Sequence, residues 1–468
     1  MNTRRHTMAA GLFDRIAAGE GGGRALRALS TAEYSKRLLL LRTVVTEATA
    51  RSHPQADIAR RAYATLADLQ RRAPRAVREV LAYPGVGALT VTVLRGLTSG
   101  GRRPGGEPGP HREPRAGTRP DPYAAPPADP GVGPEWLASV AAAAAVRARV
   151  PMSVPVRVHG RGVVLPSLGL AEFPGAADGQ EAIVLAGGAG AAVATGDQVV
   201  RVPEDPHAES GPWLGLRRLV VGTGRDTLTL LVDDVDPMRF PLRDRCAPRL
   251  SREDLAAWRE MLAPAWRLLV RAHPGVAAET AAGVTVLVPL RAPSGGTSSA
   301  TSPAAFGSVA ISLPPDPVTT AQSFAHEVQH AKLSALGTLF PMIDDEGDDL
   351  FYAPWRDDPR PLGALLQGAY AHLGIATFWS RQAGVTRTPE ALLHAQTQLA
   401  RWRQATWEVA GTLLDTGRLT PPGRRFTTGM RRSLAALRAQ PVPATAATRA
   451  TRMATAHHTR YLARTGEP

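Results

Sequence analysis

The feature that most limits how this chain can fold is a stretch rich in proline, glycine and arginine, which runs from Gly100 to Pro134. Such a composition cannot bury enough apolar surface to become ordered. We therefore predict a flexible linker over residues 99–135. At 468 residues the chain is long enough for several domains, and the linker separates a short N-terminal part from a long C-terminal part.

The N-terminal part has a helical pattern. Between Ala25 and Leu97, leucine and alanine recur at spacings of three and four residues. Ser30 and Glu33 have the spacing of a capping box, which marks the start of a helix. We predict a helical N-terminal segment over residues 1–98.

The C-terminal part begins with strands and continues with helices. Short β-branched runs separated by Gly, Pro and Asp predict a small β-rich module over 136–245. Helical periodicity with a few strands predicts a mostly helical domain over 246–440, followed by a C-terminal tail over 441–468. The predicted fold class is therefore α+β.

Composition excludes several classes of protein. Cys246 is the only cysteine, so one chain can build neither a disulfide framework nor a cysteine-based zinc site, and a cytoplasmic location is expected. The net charge is +14, but only Lys36 and Lys332 among the 55 basic residues are lysines, which indicates the codon bias of a GC-rich genome. No basic stripe interleaved with aromatic residues accompanies the charge, so nucleic-acid binding is not expected.

No targeting or membrane segment is expected either. The apolar run near the N-terminus is broken at Asp14 and Arg15, which is not the pattern of a signal peptide. The longest apolar stretch, residues 137–146, is mostly alanine and about half of the roughly 20 residues that cross a bilayer.

The motif H-E-x-x-H lies in "FAHEVQHAKL", residues 324–333. A helix turns by about 100° per residue, so His326 and His330 lie roughly 40° apart on one face and both imidazoles can reach one ion. Glu327 lies beside that face. The pattern is a moderately specific signal for a metal site, and its alternative is a helix with two solvated or core histidines.

The limits of this helix follow from its flanking residues. Thr319 or Thr320 can cap its start and Gly337 can end it. Lys332 falls about 200° around the helix from His330, so we expect it to point away from the metal and to have a structural role.

A third metal ligand must come from elsewhere in the chain, and its identity sorts the possible classes. Leu333 and Leu336 stand where a metzincin has glycine and histidine, so that class is excluded. A gluzincin-like zinc peptidase would supply a carboxylate, and an acidic loop follows the motif. We expect the loop carboxylates to be solvated; the candidates are Asp344, Asp345 and Glu346.

His372 is the preferred third ligand. It lies in "RPLGALLQGAYAHLGIATFW", which predicts a helix starting at Pro361. The face around His372 is apolar and small, so a second helix can approach it closely. The alternative is a core histidine. The other residues on this face are Leu365, Gly368, Ala369, Ile375, Ala376 and Trp379.

Three stretches of the sequence resemble a known family. "SFAHEVQHAKLSALGTLF", "FYAPWRDDPRPLGALLQGAYAHLGIATFW" and "SSATSPAAFGSVAISLPPDP" are similar to the H-E-x-x-H peptide-modification proteins of bacterial ribosomal-peptide pathways. Members occur alone or fused to radical-SAM maturases of the FxsB type. The likeness covers about 250–410, is weaker around 25–45 and is absent in the linker.

The resemblance implies an activity and a cofactor. Studied members of the family are described as peptide β-hydroxylases that depend on Fe(II) and 2-oxoglutarate. His326 and His330 would then be iron ligands with His372 as the third, Glu327 matches the glutamate of the family's motif, and 246–440 would be the catalytic domain. Three protein ligands leave three positions that 2-oxoglutarate and O₂ can fill, although most such oxygenases use two histidines and one carboxylate.

The distal carboxylate of 2-oxoglutarate needs a fixed cation, and the planar fork of arginine suits it. Arg356 and Arg360 lie between the two ligand segments and are the candidates. Their alternative is pairing with Asp357 and Asp358. Nearby Tyr352 and Trp355 either wall the pocket or simply pack, and packing is preferred.

The predicted function is hydroxylation of a carbon on a precursor peptide made by the ribosome, with a radical-SAM maturase of the same pathway as a further partner. One alternative is a gluzincin-like zinc metallopeptidase in which Glu327 activates a Zn(II)-bound water. The other is a non-catalytic accessory protein that binds a peptide. Docking of the peptide by strand addition at the β-rich module is suggested only by its many strands.

Overall fold

The computed structural model describes residues 6–99, 131–294 and 296–466. Helices make up 58% of the structure and strands 15%, which confirms the α+β class with helical N- and C-terminal regions. Of the predicted linker, residues 100–130 lie outside the described residues. The helices are α1 (Ala10–Ala17), α2 (Gly22–Ala50), α3 (Ala56–Arg72), α4 (Pro74–Leu81), α5 (Pro84–Ser99), α6 (Leu137–Ala148), α7 (Arg252–Ala272), α8 (Pro274–Gly283), α9 (Pro317–Leu339), α10 (Leu362–Val385), α11 (Pro389–Asp415), α12 (Pro421–Ala439) and α13 (Ala444–Thr465).

The strands form three small sheets. One is an antiparallel sheet in the order β1-β4-β5-β6, a second has the order β2-β3-β7, and a five-stranded sheet has the order β11-β12-β10-β9-β8. The strands are β1 (Met152–Arg157), β2 (Gly162–Leu165), β3 (Gly169–Glu172), β4 (Glu181–Gly187), β5 (Gly190–Thr195), β6 (Gln198–Val202), β7 (Trp213–Gly215), β8 (Arg217–Val221), β9 (Leu228–Val232), β10 (Val286–Pro289), β11 (Ser299–Ala300) and β12 (Ser308–Ile311).

The five-stranded sheet leads into the helix that carries the histidine motif. Its strands β8 and β9 precede the predicted boundary at 245/246, whereas β10, β11 and β12 follow it. β10 runs parallel to both β9 and β12, and every residue of β10 and β12 is buried. Because β12 ends at Ile311, only a short loop connects this buried sheet to the start of α9 at Pro317.

The capping-box prediction at Ser30 is wrong. α2 already begins at Gly22, so Ser30 lies inside the helix, where its hydroxyl donates to the Leu26 carbonyl (2.7 Å). Glu33 instead forms an ion pair with Lys36 one turn later, at 2.8 Å. The local spacing was that of a cap, but helical residues continue on its N-terminal side.

The N-terminal helices share a core with the C-terminal helices. Ile16 and Ala17 of α1 and Leu26 of α2 belong to the same buried apolar cluster as Phe324 of α9 and Leu365 of α10. At the other end of the chain, the segment predicted as a tail contains α13, which packs along α11. The helix that carries the motif is therefore enclosed by segments that are distant in sequence.

The structural role predicted for Lys332 is confirmed. Its side chain is fully buried, and Nζ contacts Glu279 Oε1 of α8 at 2.8 Å. The same ammonium donates to the carbonyls of Gly19 (3.1 Å) and Glu20 (3.2 Å). Glu279 Oε1 also accepts from the Gly22 amide (3.0 Å). The back of α9 is thus tied to α8 and to the turn between α1 and α2.

This buried ion pair gives a stability prediction. Glu279→Ala leaves the Lys332 ammonium buried without its carboxylate, so the free energy of unfolding should fall by about 3–5 kcal/mol. Urea denaturation followed by circular dichroism measures it. The double variant Lys332→Met with Glu279→Leu removes both charges and should recover most of the loss. A Glu279→Ala protein as stable as the native one would contradict this role.

Within the described residues, no single helix combines the length and the apolar composition needed to cross a membrane. The adjoining pair α4 and α5 meets the test only when joined, and it bends by 66° at the break.

Candidate metal centre

The helix α9 begins at a cap that the sequence prediction missed. Asp316 Oδ1 accepts from the amides of Val318 (2.8 Å) and Thr319 (2.9 Å), and Pro317 takes the first helical position. The predicted caps, Thr319 and Thr320, are therefore inside the helix, because an aspartate three residues earlier satisfies the free amides. The predicted end at Gly337 is also wrong, since α9 continues to Leu339.

His326 and His330 lie side by side on α9, as their spacing predicted. Their Nε2 atoms are 3.0 Å apart, and the ring planes are nearly perpendicular. Two nitrogens that each lie about 2.1 Å from one ion, at a right angle, are about 3 Å apart. The pair therefore has the spacing of two ligands of one metal ion.

The outer ring nitrogens of two histidines are anchored. His372 Nδ1 lies 2.8 Å from the Gly368 carbonyl, which can only accept, so this nitrogen carries the proton. His330 Nδ1 lies 3.3 Å from Gln367 Oε1, and Gln367 in turn donates to Ser334 Oγ at 3.3 Å. In a neutral ring with a protonated Nδ1, the lone pair is on Nε2 and is free to bind a metal.

His372 lies on α10, and this helix begins after Pro361 as predicted. The ring centroids of His372 and His326 are 5.3 Å apart. His372 is stacked on Trp355 at 4.3 Å, and Trp402 of α11 lies against it at 4.7 Å. The packing preferred for Trp355 is therefore observed, and the residue on which it packs is the candidate ligand.

Two glycines explain how these groups come so close. A Cβ at Gly374 would lie 2.8 Å from the Ala325 carbonyl, so the backbones of α9 and α10 can approach only with glycine there. A Cβ at Gly368 would lie 2.5 Å from the indole nitrogen of Trp355. The small face predicted around His372 thus admits both the motif helix and an aromatic ring.

The three histidines form a cluster but not a finished ligand set. Across the residues that the structure describes, no three His, Cys, Asp or Glu side chains are arranged to hold one metal ion together. His326 and His330 are set as a pair, and His372 lies next to them. Ligation by all three would require the rings to move.

Burial keeps these imidazoles neutral at physiological pH. It lowers the pKa of His326 to about 4. Burial, together with the neighbouring His326, holds the pKa of His330 and of His372 well below the usual value. Neutral imidazole is the form that binds metals, so none of the three has to lose a proton first.

Glu327 is buried beside the pair without a hydrogen-bond partner. It is 1% exposed, and neither carboxylate oxygen makes a hydrogen bond within the described residues. Burial raises its pKa to about 7, although the nearby hydroxyls of Ser299 and Thr301 lower it. Its Oε1 is 4.0 Å from His326 Nε2. A buried carboxylate without a partner is costly, and a bound cation or water would satisfy it.

The acidic loop does not reach this centre. Asp344, Asp345 and Glu346 are exposed, as predicted. Glu346 Oε1 accepts from the Gly363 amide (2.7 Å) at the start of α10. Gly363 lies nine residues before His372, about 14 Å along the helix axis. The sequence of α10 contains no Asp or Glu, so this helix offers a histidine where a gluzincin-like site needs a carboxylate.

The two arginines predicted to bind 2-oxoglutarate are engaged by one acid. Arg356 donates to both oxygens of Asp358 (2.8 and 3.1 Å), and Arg360 donates to Asp358 Oδ2 (3.2 Å). The alternative predicted for these arginines was pairing with Asp357 and Asp358. Asp358 does pair with both, whereas Asp357 Oδ1 lies 3.7 Å from His457 Nε2. Binding of 2-oxoglutarate by either arginine stays a prediction.

Sequence reasoning missed several residues of the centre. Gln367 lies on α10 itself and the others come from other parts of the chain, and neither helical periodicity nor a motif marks them. They are Ser299, Thr301, Gln367, Arg401 and Trp402.

Comparison of this chain with known protein families and with curated proteins gave no match. The function must therefore be inferred from the residues of the centre. Two aligned imidazoles, a third beside them and a carboxylate without a partner fit a divalent transition metal such as Fe(II) or Zn(II), for which imidazole is a suitable ligand.

The contribution of His372 can be measured. His372→Ala should weaken Fe(II) binding by more than the roughly 10–100-fold that loss of an outer-shell partner costs. Gln367→Ala removes only the anchor of His330 and is the matched control, with a loss inside that range. Metal analysis after dialysis reports both. Full iron occupancy in His372→Ala would show that the third ligand lies elsewhere.

Proposed function

We propose that this protein is a peptide hydroxylase that depends on Fe(II) and 2-oxoglutarate. The observation that carries the proposal is the pair of His326 and His330, with Nε2 atoms 3.0 Å apart, next to a buried third histidine on a different helix. His326, His330 and His372 would hold the iron. The resemblance of these segments to the peptide-modification proteins supports the choice of iron and of a ribosomal peptide.

When bound, iron and 2-oxoglutarate supply the oxidation: one atom of O₂ enters a C–H bond of the peptide, and the other enters succinate as 2-oxoglutarate loses CO₂. The chain itself supplies binding and orientation. Gly368 and Gln367 hold the Nδ1–H groups of His372 and His330, so that both Nε2 lone pairs are available. Trp355 and Trp402 pack against His372 and hold the position of its ring.

Glu327 would act on the ligands rather than on a water in this mechanism. It is buried and lies 4.0 Å from His326 Nε2, so its charge faces the metal position. A carboxylate there stabilises a bound cation and fixes the orientation of the groups around it. No proton has to leave it during hydroxylation.

A zinc peptidase is the second candidate because of the same residue. Glu327 has its pKa raised to about 7 by burial, which suits a general base at physiological pH. The absence of any acid on α10 speaks against the gluzincin-like version of this class. A non-catalytic peptide-binding protein is the third, and it would bind metal without turning over either substrate.

The proposed partners are a precursor peptide and a radical-SAM maturase of the same pathway. The four-stranded sheet ends in the outer strands β1 and β6. It exposes three large apolar side chains at these edges: Ile183 and Leu185 on β4, next to β1, and Val199 on β6. An extended peptide adds to such an edge through its backbone, and exposed apolar side chains give it contacts.

Cosubstrate turnover tests the proposal without knowledge of the peptide. Purified protein loaded with Fe(II) should convert 2-oxoglutarate to succinate slowly on its own, and the same protein loaded with Zn(II) should not. Succinate is measured by mass spectrometry. Protein that binds iron fully but forms no succinate, with or without peptide, would favour the accessory role.

A further inference from the structure

One cation near the histidine cluster is not paired with an acid. Arg401 lies on α11, and its guanidinium carbon lies over the ring of Trp402, 4.2 Å from the ring centre. Trp402 contacts His372 with ring centroids 4.7 Å apart. Arg401 is therefore one aromatic ring away from the third candidate ligand.

Arg401 differs in this respect from the arginines of the loop. Arg356 and Arg360 both donate to Asp358, so each of them already has a carboxylate partner. Arg401 makes no ion pair and no hydrogen bond with the residues that the structure describes, and it is half-buried. A half-buried guanidinium has lost part of its hydration, which favours an anion that can replace it.

The surroundings of Arg401 add positive charge. Burial lowers the pKa of Arg401, and Arg460 of α13 lowers it further, while Tyr352 raises it. The charge of Arg401 also reaches His372, whose pKa is lowered mainly by burial and by His326. Burial raises the pKa of the Tyr352 phenol, whose hydroxyl lies 2.8 Å from His457 Nδ1, so Tyr352 stays neutral and supplies no negative charge.

We propose that Arg401, assisted by the charge of Arg460, binds a carboxylate of a small acidic ligand. On the proposed function, on which this inference rests, that group is the distal carboxylate of 2-oxoglutarate. The contact with Trp402 holds the Arg401 guanidinium near the histidine cluster, and its planar fork can bind a carboxylate through two parallel hydrogen bonds. The distal carboxylate would then be bound by a residue of α11 and not by the arginines of the loop, Arg356 and Arg360.

The test compares two ligands that differ only at the distal carboxylate. 2-Oxopentanoate has a methyl group where 2-oxoglutarate has this carboxylate. Equilibrium dialysis of the full-length, Fe(II)-loaded protein without oxygen gives the dissociation constant of each. Native protein should prefer 2-oxoglutarate. Arg401→Gln should bind 2-oxoglutarate about 10–100-fold more weakly, yet bind 2-oxopentanoate and iron as the native protein does.

Three further variants locate the effect. Arg401→Lys keeps the charge without the fork and should give an intermediate loss. Arg460→Gln should show a smaller loss than Arg401→Gln. Arg387→Gln, which removes an exposed arginine just before α11, is the control and should change nothing.

The possible results distinguish a failure of the Arg401 assignment from a failure of the hydroxylase proposal. If native protein prefers 2-oxoglutarate and Arg401→Gln keeps that preference, the inference is wrong and the hydroxylase proposal stands. Loss of the preference in Arg356→Gln or Arg360→Gln instead would place the carboxylate on the loop and also overturn it. If native protein binds neither ligand, the hydroxylase proposal fails and this inference fails with it.

Discussion

Replacing His330 by alanine should abolish stoichiometric iron binding and lower the rate of 2-oxoglutarate turnover by more than about 100-fold, beyond the range typical of an outer-shell change. The physical reason is that His330 supplies one of the two Nε2 atoms that are already 3.0 Å apart. A single remaining imidazole on α9 cannot hold the ion against water. His326→Ala should have the same effect, and iron analysis after dialysis measures both.

A control for these variants is His394→Ala. His394 lies on α11 and packs against Trp379, with ring centroids 5.0 Å apart, so the variant removes a histidine outside the cluster. It should keep iron and activity. Circular dichroism should show native helix content in all three proteins. Iron bound at full occupancy in both His326→Ala and His330→Ala would rule out the metal centre described above.

Replacing Glu327 by glutamine separates an oxygenase from a peptidase by the size of the effect. In a peptidase Glu327 is the general base, and loss of such a base costs about 10²–10⁴-fold in rate. In an oxygenase it only stabilises and orients the ligands, so we expect a loss of about 10–100-fold. The prediction is that Glu327→Gln keeps iron and retains measurable succinate formation.

The matched control for Glu327 is Glu390→Gln, which changes an exposed glutamate in the first turn of α11. Its turnover should equal that of the native protein. Complete loss of all activity in Glu327→Gln with iron still bound would point to a proton transfer through this carboxylate, which the hydroxylase proposal does not contain.

The parts of the centre that could be predicted are those that depend on local periodicity. The spacing of four residues was enough to place His326 and His330 on one face of α9, and the small face around His372 was enough to predict a close approach. The N-cap of α9 could not be predicted in the same way. Asp316 and Thr319 are both good N-cap residues, and only the three-dimensional path of the chain decides between them.

The rest could not be predicted because it depends on contacts between distant segments. Lys332 contacts Glu279, 53 residues away along the chain, and the Gly19 carbonyl, 313 residues away. Trp402 and Arg401 reach the cluster from α11, which has no motif. A lone Trp or Arg in a helix has no periodic signal that indicates its partner, so only the packing of the helices reveals it.

The measurement that tests the hydroxylase proposal most directly is the mass of the peptide after reaction. A short precursor peptide encoded next to this protein would be incubated with the Fe(II)-loaded enzyme, 2-oxoglutarate and O₂, and then analysed by mass spectrometry. The proposal predicts an intact peptide that has gained one oxygen atom on a side-chain carbon, with one succinate formed for each oxygen added. Cleaved fragments that require Zn(II), ignore 2-oxoglutarate and vanish in Glu327→Gln would contradict it and establish the peptidase.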